Sequence, residues 1–128
     1  MVRLLITSGG VFALIGIVTR SLSSHAIKAF LFERGKLDNF NLAADYLVLH
    51  GLALIAVAIL YQLFPDAKFQ RAGWAFITGT LLFQGSVLIK SCISIAPFGF
   101  ITPLGGFFLM LGWTLVIVSG FFACSPAS

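Results

Sequence analysis

Charged residues are scarce in this sequence. Only 9% of its 128 residues are Asp, Glu, Lys or Arg, four of them acids, whereas 59% are hydrophobic. Soluble domains carry roughly 25% charged residues, so these numbers indicate a protein whose solvent is the lipid bilayer. There are no paired carboxylates within the apolar runs, no nucleophile–base pair and no glycine-rich phosphate loop. The sequence therefore predicts a membrane protein that is not an enzyme.

Cysteine and histidine are equally rare, with two residues of each. Cys92 and Cys124 follow successive antiparallel spans, whose ends lie on opposite faces of the membrane, about 30 Å apart. This excludes a disulfide between them and a zinc site that uses both. His25 falls in a polar segment rather than on a spanning helix, which argues against a haem held by His25 and His50. We predict no metal and no cofactor.

The basic residues do not form a stripe, although the net charge is +4. They are spread along the chain and flank its apolar runs, as the positive-inside tendency produces in membrane proteins. No nucleic-acid partner is predicted, because a nucleic-acid interface gathers its cations on one face.

Long apolar runs are what the sequence has in abundance, and they predict an all-α, polytopic membrane protein with four transmembrane helices. The run after Arg3 imitates a signal peptide, but its glycines favour a retained first span. Residues 1–128 form a single membrane domain, with spans at about 4–19, 46–63, 74–89 and 104–123.

The longest polar stretch, residues 21–45, separates the first two spans. Its pattern predicts a short amphipathic helix that ends at Gly35 and lies in the membrane interface. A plain soluble loop is the alternative. At the other end of the chain, Thr102 is predicted to cap the last span, with Pro103 at its first position.

Small residues recur about every seven positions within the spans. Such a face lets a second helix approach closely. The predicted helix-packing residues are Gly9, Gly16, Gly51, Gly85, Gly105, Gly106 and Gly112.

Three motifs carry a resemblance to a known family. They are Phe40, Ala43, Tyr46 and His50 in the second span; Leu82, Phe83, Gly85 and Ser86 in the third; and Thr102–Gly106 with Leu111–Trp113 in the fourth. Over about residues 5–123 the chain resembles the DUF423 family of small bacterial inner-membrane proteins, which has a small mitochondrial transmembrane relative. Where that family has Gly-Ala-Phe-Gly-Ala-His after the first span, only His25 is kept here. The resemblance implies a four-helix membrane fold and no established activity, substrate or cofactor.

Tyr46 and His50 are four residues apart and therefore share a helix face. Buried polar groups in lipid need partners, and the candidates are His25, Gln84, Ser86 and Thr102. We predict a structural polar cluster of His25, Tyr46, His50, Ser86 and Thr102. The alternative is a chemical role, as a proton relay or a quinone or haem site.

Three functional classes are compatible with these features. The favoured one is a structural or accessory subunit of a larger membrane complex, for example a respiratory one. The alternatives are a small oligomeric transporter or channel, and a redox protein that handles quinone or haem. The expected partners are the lipid bilayer and either other membrane-protein subunits or further copies of the chain. The expected location is the bacterial or the mitochondrial inner membrane.

Overall fold

The computed structural model describes residues 1–93 and 99–123, and over these residues the fold is all-α. The helices are α1 (Val2–Ser24), α2 (Lys28–Glu33), α3 (Leu37–Leu63), α4 (Gln70–Cys92) and α5 (Ile101–Ala123), with a 3₁₀ turn at Pro65–Ala67. Cys124 lies outside the described residues.

Four of these helices are long and apolar enough to cross a membrane. α1, α4 and α5 have 23 residues each and α3 has 27, whereas α2 has six. The predicted architecture of four spanning helices with a short helix between the first two is thereby confirmed. Gly35, with a φ of 67°, ends α2 as predicted, because this left-handed conformation costs glycine little.

The helices extend beyond the predicted spans at the polar ends. α1 continues past Arg20, whose Nε lies 3.2 Å from Oδ1 of Asp45 on α3, and α3 begins at Leu37, ahead of the predicted span at 46–63. A charged residue at a span end does not stop a helix when a neighbouring helix supplies its partner. The boundaries of the membrane itself stay a prediction.

The four long helices pack in a series. α1 packs mainly on α3, α3 on α4, and α4 on α5, so α3 and α4 occupy the middle. We compared the most apolar 18 residues of each long helix. In α3 and α4, 50% and 44% of these residues are buried. In α1 and α5, only 22% and 17% are buried. The outer helices thus present most of their apolar side chains to the surroundings.

Glycines set the closest approaches between helices. A Cβ at Gly9 would lie 2.5 Å from the backbone oxygen of Gly51, and one at Gly16 2.7 Å from that of Ala44. On the other side of the molecule, Gly105 faces the backbone of α4 and Gly112 faces the Phe76 ring.

Two predicted packing glycines differ from this pattern. A Cβ at Gly85 would meet nothing within 4 Å, and one at Gly106 would make only an ordinary 3.6 Å contact with the Phe83 ring. Their presence in a span did not show whether they meet another helix, because the face that a helix turns to its neighbour depends on the helix rotation. Gly73 and Gly79 pack against Leu5 and Leu109 instead.

The topology can be tested with a membrane-impermeant thiol reagent. In a Cys124→Ser background we expect exposed Cys92, at the end of α4, to be labelled from one side of the membrane. The other variants are made in a Cys92→Ser, Cys124→Ser background. There, a cysteine introduced by Asp66→Cys, in the turn before α4, should be labelled from the opposite side. Glu33→Cys provides a control on the same side as Cys92. Labelling of Cys92 and the Asp66→Cys variant from the same side would contradict the four-span topology.

Candidate functional site: a histidine centre between three helices

His50 lies on α3 where α4 and α5 come together, and only 3% of its surface is exposed. Its ring centroid is 5.5 Å from that of Phe76 on α4 and 6.0 Å from that of Trp113 on α5. Tyr46, one turn earlier on α3, lies edge-on at 5.8 Å. We call His50, Gln84 and Trp113, with the Phe76 and Tyr46 rings, the His50 centre.

Both ring nitrogens of His50 have partners inside the chain. The indole Nε1 of Trp113 donates to Nε2 at 3.2 Å, and Nδ1 lies 2.9 Å from the carbonyl oxygen of Tyr46. An indole N–H can only donate, so Nε2 must be the accepting nitrogen. The proton of the neutral ring is then on Nδ1, which donates to the Tyr46 carbonyl. Trp113 therefore selects the tautomer of His50.

Gln84 completes the polar contacts of the centre. Its side chain is fully buried, and its amide nitrogen lies 3.3 Å from Nδ1 of His50. Its Oε1 has no hydrogen-bond partner among the described residues. A half-turn of the amide exchanges its oxygen and nitrogen and would point the oxygen at the Nδ1–H. The orientation with the oxygen toward Nδ1–H is the one that agrees with the tautomer selected by Trp113, because the amide nitrogen and Nδ1–H are both donors.

Small residues allow α5 to reach this centre. A Cβ at Gly112 would lie 2.6 Å from the Phe76 ring, and one at Gly79 would lie 2.8 Å from Leu109. The Phe76 and Trp113 rings consequently meet at 4.9 Å in an edge-to-face arrangement, which is favourable for aromatic pairs. The close packing of α4 and α5 is what carries Trp113 to His50.

A second polar group joins α4 and α5 closer to the end of α4. Thr102 Oγ1 lies 2.6 Å from Oγ of Ser86 and 2.9 Å from Nζ of Lys90. The Ser86 hydroxyl also donates to the carbonyl oxygen of Phe83 at 3.0 Å. We call Ser86, Lys90 and Thr102 the hydroxyl–lysine chain.

Comparison with known proteins identifies the family. The family described as "Protein of unknown function (DUF423)" matches residues 20–106. The chain belongs to this family. That confirms the resemblance drawn from the sequence motifs, and all three motifs contribute residues to the His50 centre or to the hydroxyl–lysine chain.

Two bacterial membrane proteins illustrate the similarity. The chain is 28% identical over 119 residues to the UPF0382 membrane protein SH2409 of Staphylococcus haemolyticus, covering 93% of this chain and 96% of the relative. It is 29% identical over 118 residues to the UPF0382 membrane protein YwdK of Bacillus subtilis, covering 91% and 95%. No solved structure matches the chain. The relatives agree with the fold in indicating a small integral membrane protein.

The structure divides the polar cluster that the sequence of this DUF423 protein predicts. Tyr46 and His50 lie together, and Ser86 and Thr102 form a separate pair. His25 belongs to neither group: it is exposed just after α1, whereas His50 lies about 20 Å along α3 from its first residue. Tyr46 is 37% exposed and takes part through its backbone and ring, not as a buried hydroxyl.

Other expectations for these helix ends need correction. Thr102 does not cap α5, because the helix begins at Ile101 and the Thr102 hydroxyl is used by Ser86 and Lys90. The amine of Lys90, in the last turn of α4, is the donor to Thr102. Trp113 was not among the predicted polar residues, yet its indole N–H donates to His50. An indole N–H within a span needs an acceptor inside the protein, because lipid tails contain no acceptor. The presence of Trp113 in the span could therefore have predicted a buried acceptor nearby.

The chemistry open to the His50 centre follows from these contacts. Since both nitrogens of His50 are engaged, the ring has no lone pair free for a metal. Among the described residues no group of three or more His, Cys, Asp or Glu side chains could hold a metal ion. The arrangement links three helices through one polar side chain.

Proposed function

We propose that this protein is a non-catalytic structural subunit that assembles with other integral membrane proteins. The observation that carries the proposal is the engagement of both His50 ring nitrogens, by Trp113 and by the Tyr46 carbonyl. A catalytic or ligand-binding histidine needs a nitrogen that faces its substrate. Here the buried histidine of α3 is used to tie α3 to α5.

The outer surface of α5 supports a role in assembly. Phe107, Ile117 and Phe121 are each more than 70% exposed. Lipid tails are as apolar as these side chains, so association here would be driven by shape and packing. A partner helix, unlike lipid tails, would pack against this surface in one defined arrangement.

A groove along α5 could receive the side chains of such a partner helix. It has a volume of about 480 Å³ and is lined by Leu104, Phe107, Phe108, Met110, Leu111 and Thr114. Small apolar grooves between bulky side chains accept the ridge of a neighbouring helix. This groove lies on the face of α5 that also carries the exposed aromatic residues.

The setting we propose is the bacterial inner membrane, because the staphylococcal and Bacillus relatives are membrane proteins. The mitochondrial inner membrane is the alternative setting, and a respiratory complex is one candidate assembly. An oligomeric transporter or channel made of copies of this chain is the nearest rival function, and a quinone- or haem-handling protein is the other.

Native electrophoresis of the protein, gently extracted from its own membrane, tests the proposal. We expect a band well above the mass of the 13.8 kDa chain that contains other polypeptides. Replacing Phe107 and Met110 by Ala should remove those polypeptides from the band. The matched control replaces Leu14 and Ile17 on α1, which are about equally exposed.

A band at the chain mass or a small multiple of it, with no other polypeptide, would contradict the subunit proposal and favour a homo-oligomer. The visible absorption spectrum of the same band tests the respiratory setting. Haem absorption that stays with the other polypeptides when this chain is removed would place the haem in the partner. Haem absorption from the isolated chain would favour the redox alternative.

A further inference from the structure

Lys90 occupies the last turn of α4 and is only partly buried. Its amine donates to Thr102 Oγ1, which uses one of the three N–H groups of an ammonium. The other two N–H groups have no acceptor among the described residues. Lys90 is therefore a cation whose hydrogen-bonding capacity is mostly unused by the part of the chain that the structure describes.

The neighbouring hydroxyls cannot supply the missing acceptors. Ser86 donates its proton to the Phe83 carbonyl, so in the short contact between Ser86 and Thr102 it is Thr102 that donates. Thr102 in turn accepts from Lys90. The hydrogen bonds therefore run from Lys90 through Thr102 and Ser86 to the Phe83 carbonyl, and Lys90 keeps two N–H groups without an acceptor among the described residues.

The charge of Lys90 is also not neutralised by a carboxylate of the described residues. The ion pair found among them joins Arg20 to Asp45. An anion would therefore complement the Lys90 ammonium.

A cavity of about 150 Å³ lies directly beside this amine. Lys90 and Ser86 line one part of it. The rest is apolar, formed by Leu81, Leu82, Gly85, Ile89 and Ile101. Gly85 leaves the cavity open, because a Cβ there would meet nothing within 4 Å. The site combines a cation at the membrane edge with an apolar channel that runs along α4 toward the membrane interior.

We propose that this cavity binds one anionic phospholipid, with its phosphate on the Lys90 ammonium and an acyl chain over Gly85. A lysine ammonium binds phosphate as a point charge, and the bond is charge-assisted. A free phosphate ion would satisfy the cation but leave the apolar channel unused. The phospholipid satisfies both, which is why the assignment is to a lipid.

The test uses the full chain in mild non-ionic detergent and three probes: dioleoyl phosphatidylglycerol, dioleoyl phosphatidylcholine and inorganic phosphate. Native mass spectrometry measures the lipid retained, and thermal unfolding measures the protection. We expect phosphatidylglycerol to be retained about fivefold more tightly than phosphatidylcholine, the effect typical of one basic residue with an anionic lipid. Inorganic phosphate should protect far less than phosphatidylglycerol.

Two variants separate the parts of the site. Lys90→Gln should abolish the preference for phosphatidylglycerol and leave weak retention of both lipids. Gly85→Leu should lower retention of both lipids, because its side chain fills the cavity. Lys28→Gln is the control for loss of an exposed charge, and Gly10→Leu is the control for a leucine at a glycine with open space around it. Helix content by circular dichroism verifies that each variant is folded.

Three outcomes would overturn the proposal. The first is a phosphatidylglycerol preference that survives in Lys90→Gln, which would place the lipid elsewhere. The second is unchanged lipid retention in Gly85→Leu. The third is protection by inorganic phosphate equal to that by phosphatidylglycerol, which would make this an anion site without an acyl chain. None of these results depends on whether the chain joins a larger assembly.

Discussion

The Gly105→Ala variant is expected to unfold at a clearly lower temperature than the wild type. A Cβ at this position would overlap the backbone of Leu82 and Phe83 on α4, which cannot rotate away as a flexible side chain can. The two helices must separate, and overpacking of this kind costs about 1–3 kcal/mol. Thermal unfolding of the detergent-solubilised protein, followed by circular dichroism, measures the loss.

Neighbouring glycines provide matched controls for this variant. At Gly106 the added methyl group would make only an ordinary contact with the Phe83 ring, and at Gly10 it would meet nothing. Gly106→Ala and Gly10→Ala should therefore match or slightly exceed the wild-type stability, because alanine favours a helix by about 1 kcal/mol over glycine. Equal destabilisation by all three substitutions would show that helix contact is not what Gly105 provides.

Replacing His50 by Ala should also destabilise the protein. The substitution removes the acceptor of the Trp113 indole and opens a space between the Phe76 and Trp113 rings. Stranding a buried donor costs about 1–3 kcal/mol, and hydrocarbon offers the indole no water as a substitute. The measurement is again the unfolding temperature in detergent.

A double-mutant cycle isolates the hydrogen bond itself. Trp113→Phe removes the donor and keeps an aromatic ring beside Phe76. The loss caused by His50→Ala should be smaller in the Trp113→Phe background, by about 0.6 kcal/mol, the average for such bonds in membranes. Trp74→Phe, at an exposed indole on α4, is the control. Additive effects, or a His50→Ala variant of unchanged stability that loses biological activity, would point instead to a chemical role for His50.

The sequence motifs contain residues of both polar groups, but they did not predict which residues belong to which group. Tyr46 and His50 were paired correctly by their spacing on one helix, and Gln84 was among the candidate partners of the pair. Trp113 was not, because it lies 63 residues from His50 and has no periodic relation to it. Local spacing reports only on contacts within one helix.

Composition and apolar run length by themselves determined that this is an all-α membrane protein with four spanning helices. The reason is that a segment in hydrocarbon must satisfy its own backbone hydrogen bonds, and a long uncharged run does so only as a helix. The family followed from the sequence as well, through short motifs that survive low overall identity.

Only the tertiary structure decided which small residues and which polar groups meet. Gly85 and Gly105 look alike in the sequence, yet Gly105 lies against the backbone of α4 while Gly85 opens a cavity beside Lys90. Likewise, Thr102 looks like a helix cap and is used as the link between Ser86 and Lys90. These outcomes depend on how each helix is rotated and shifted against its neighbour. That register is set by the packing of all the side chains between them, and no short stretch of sequence contains it.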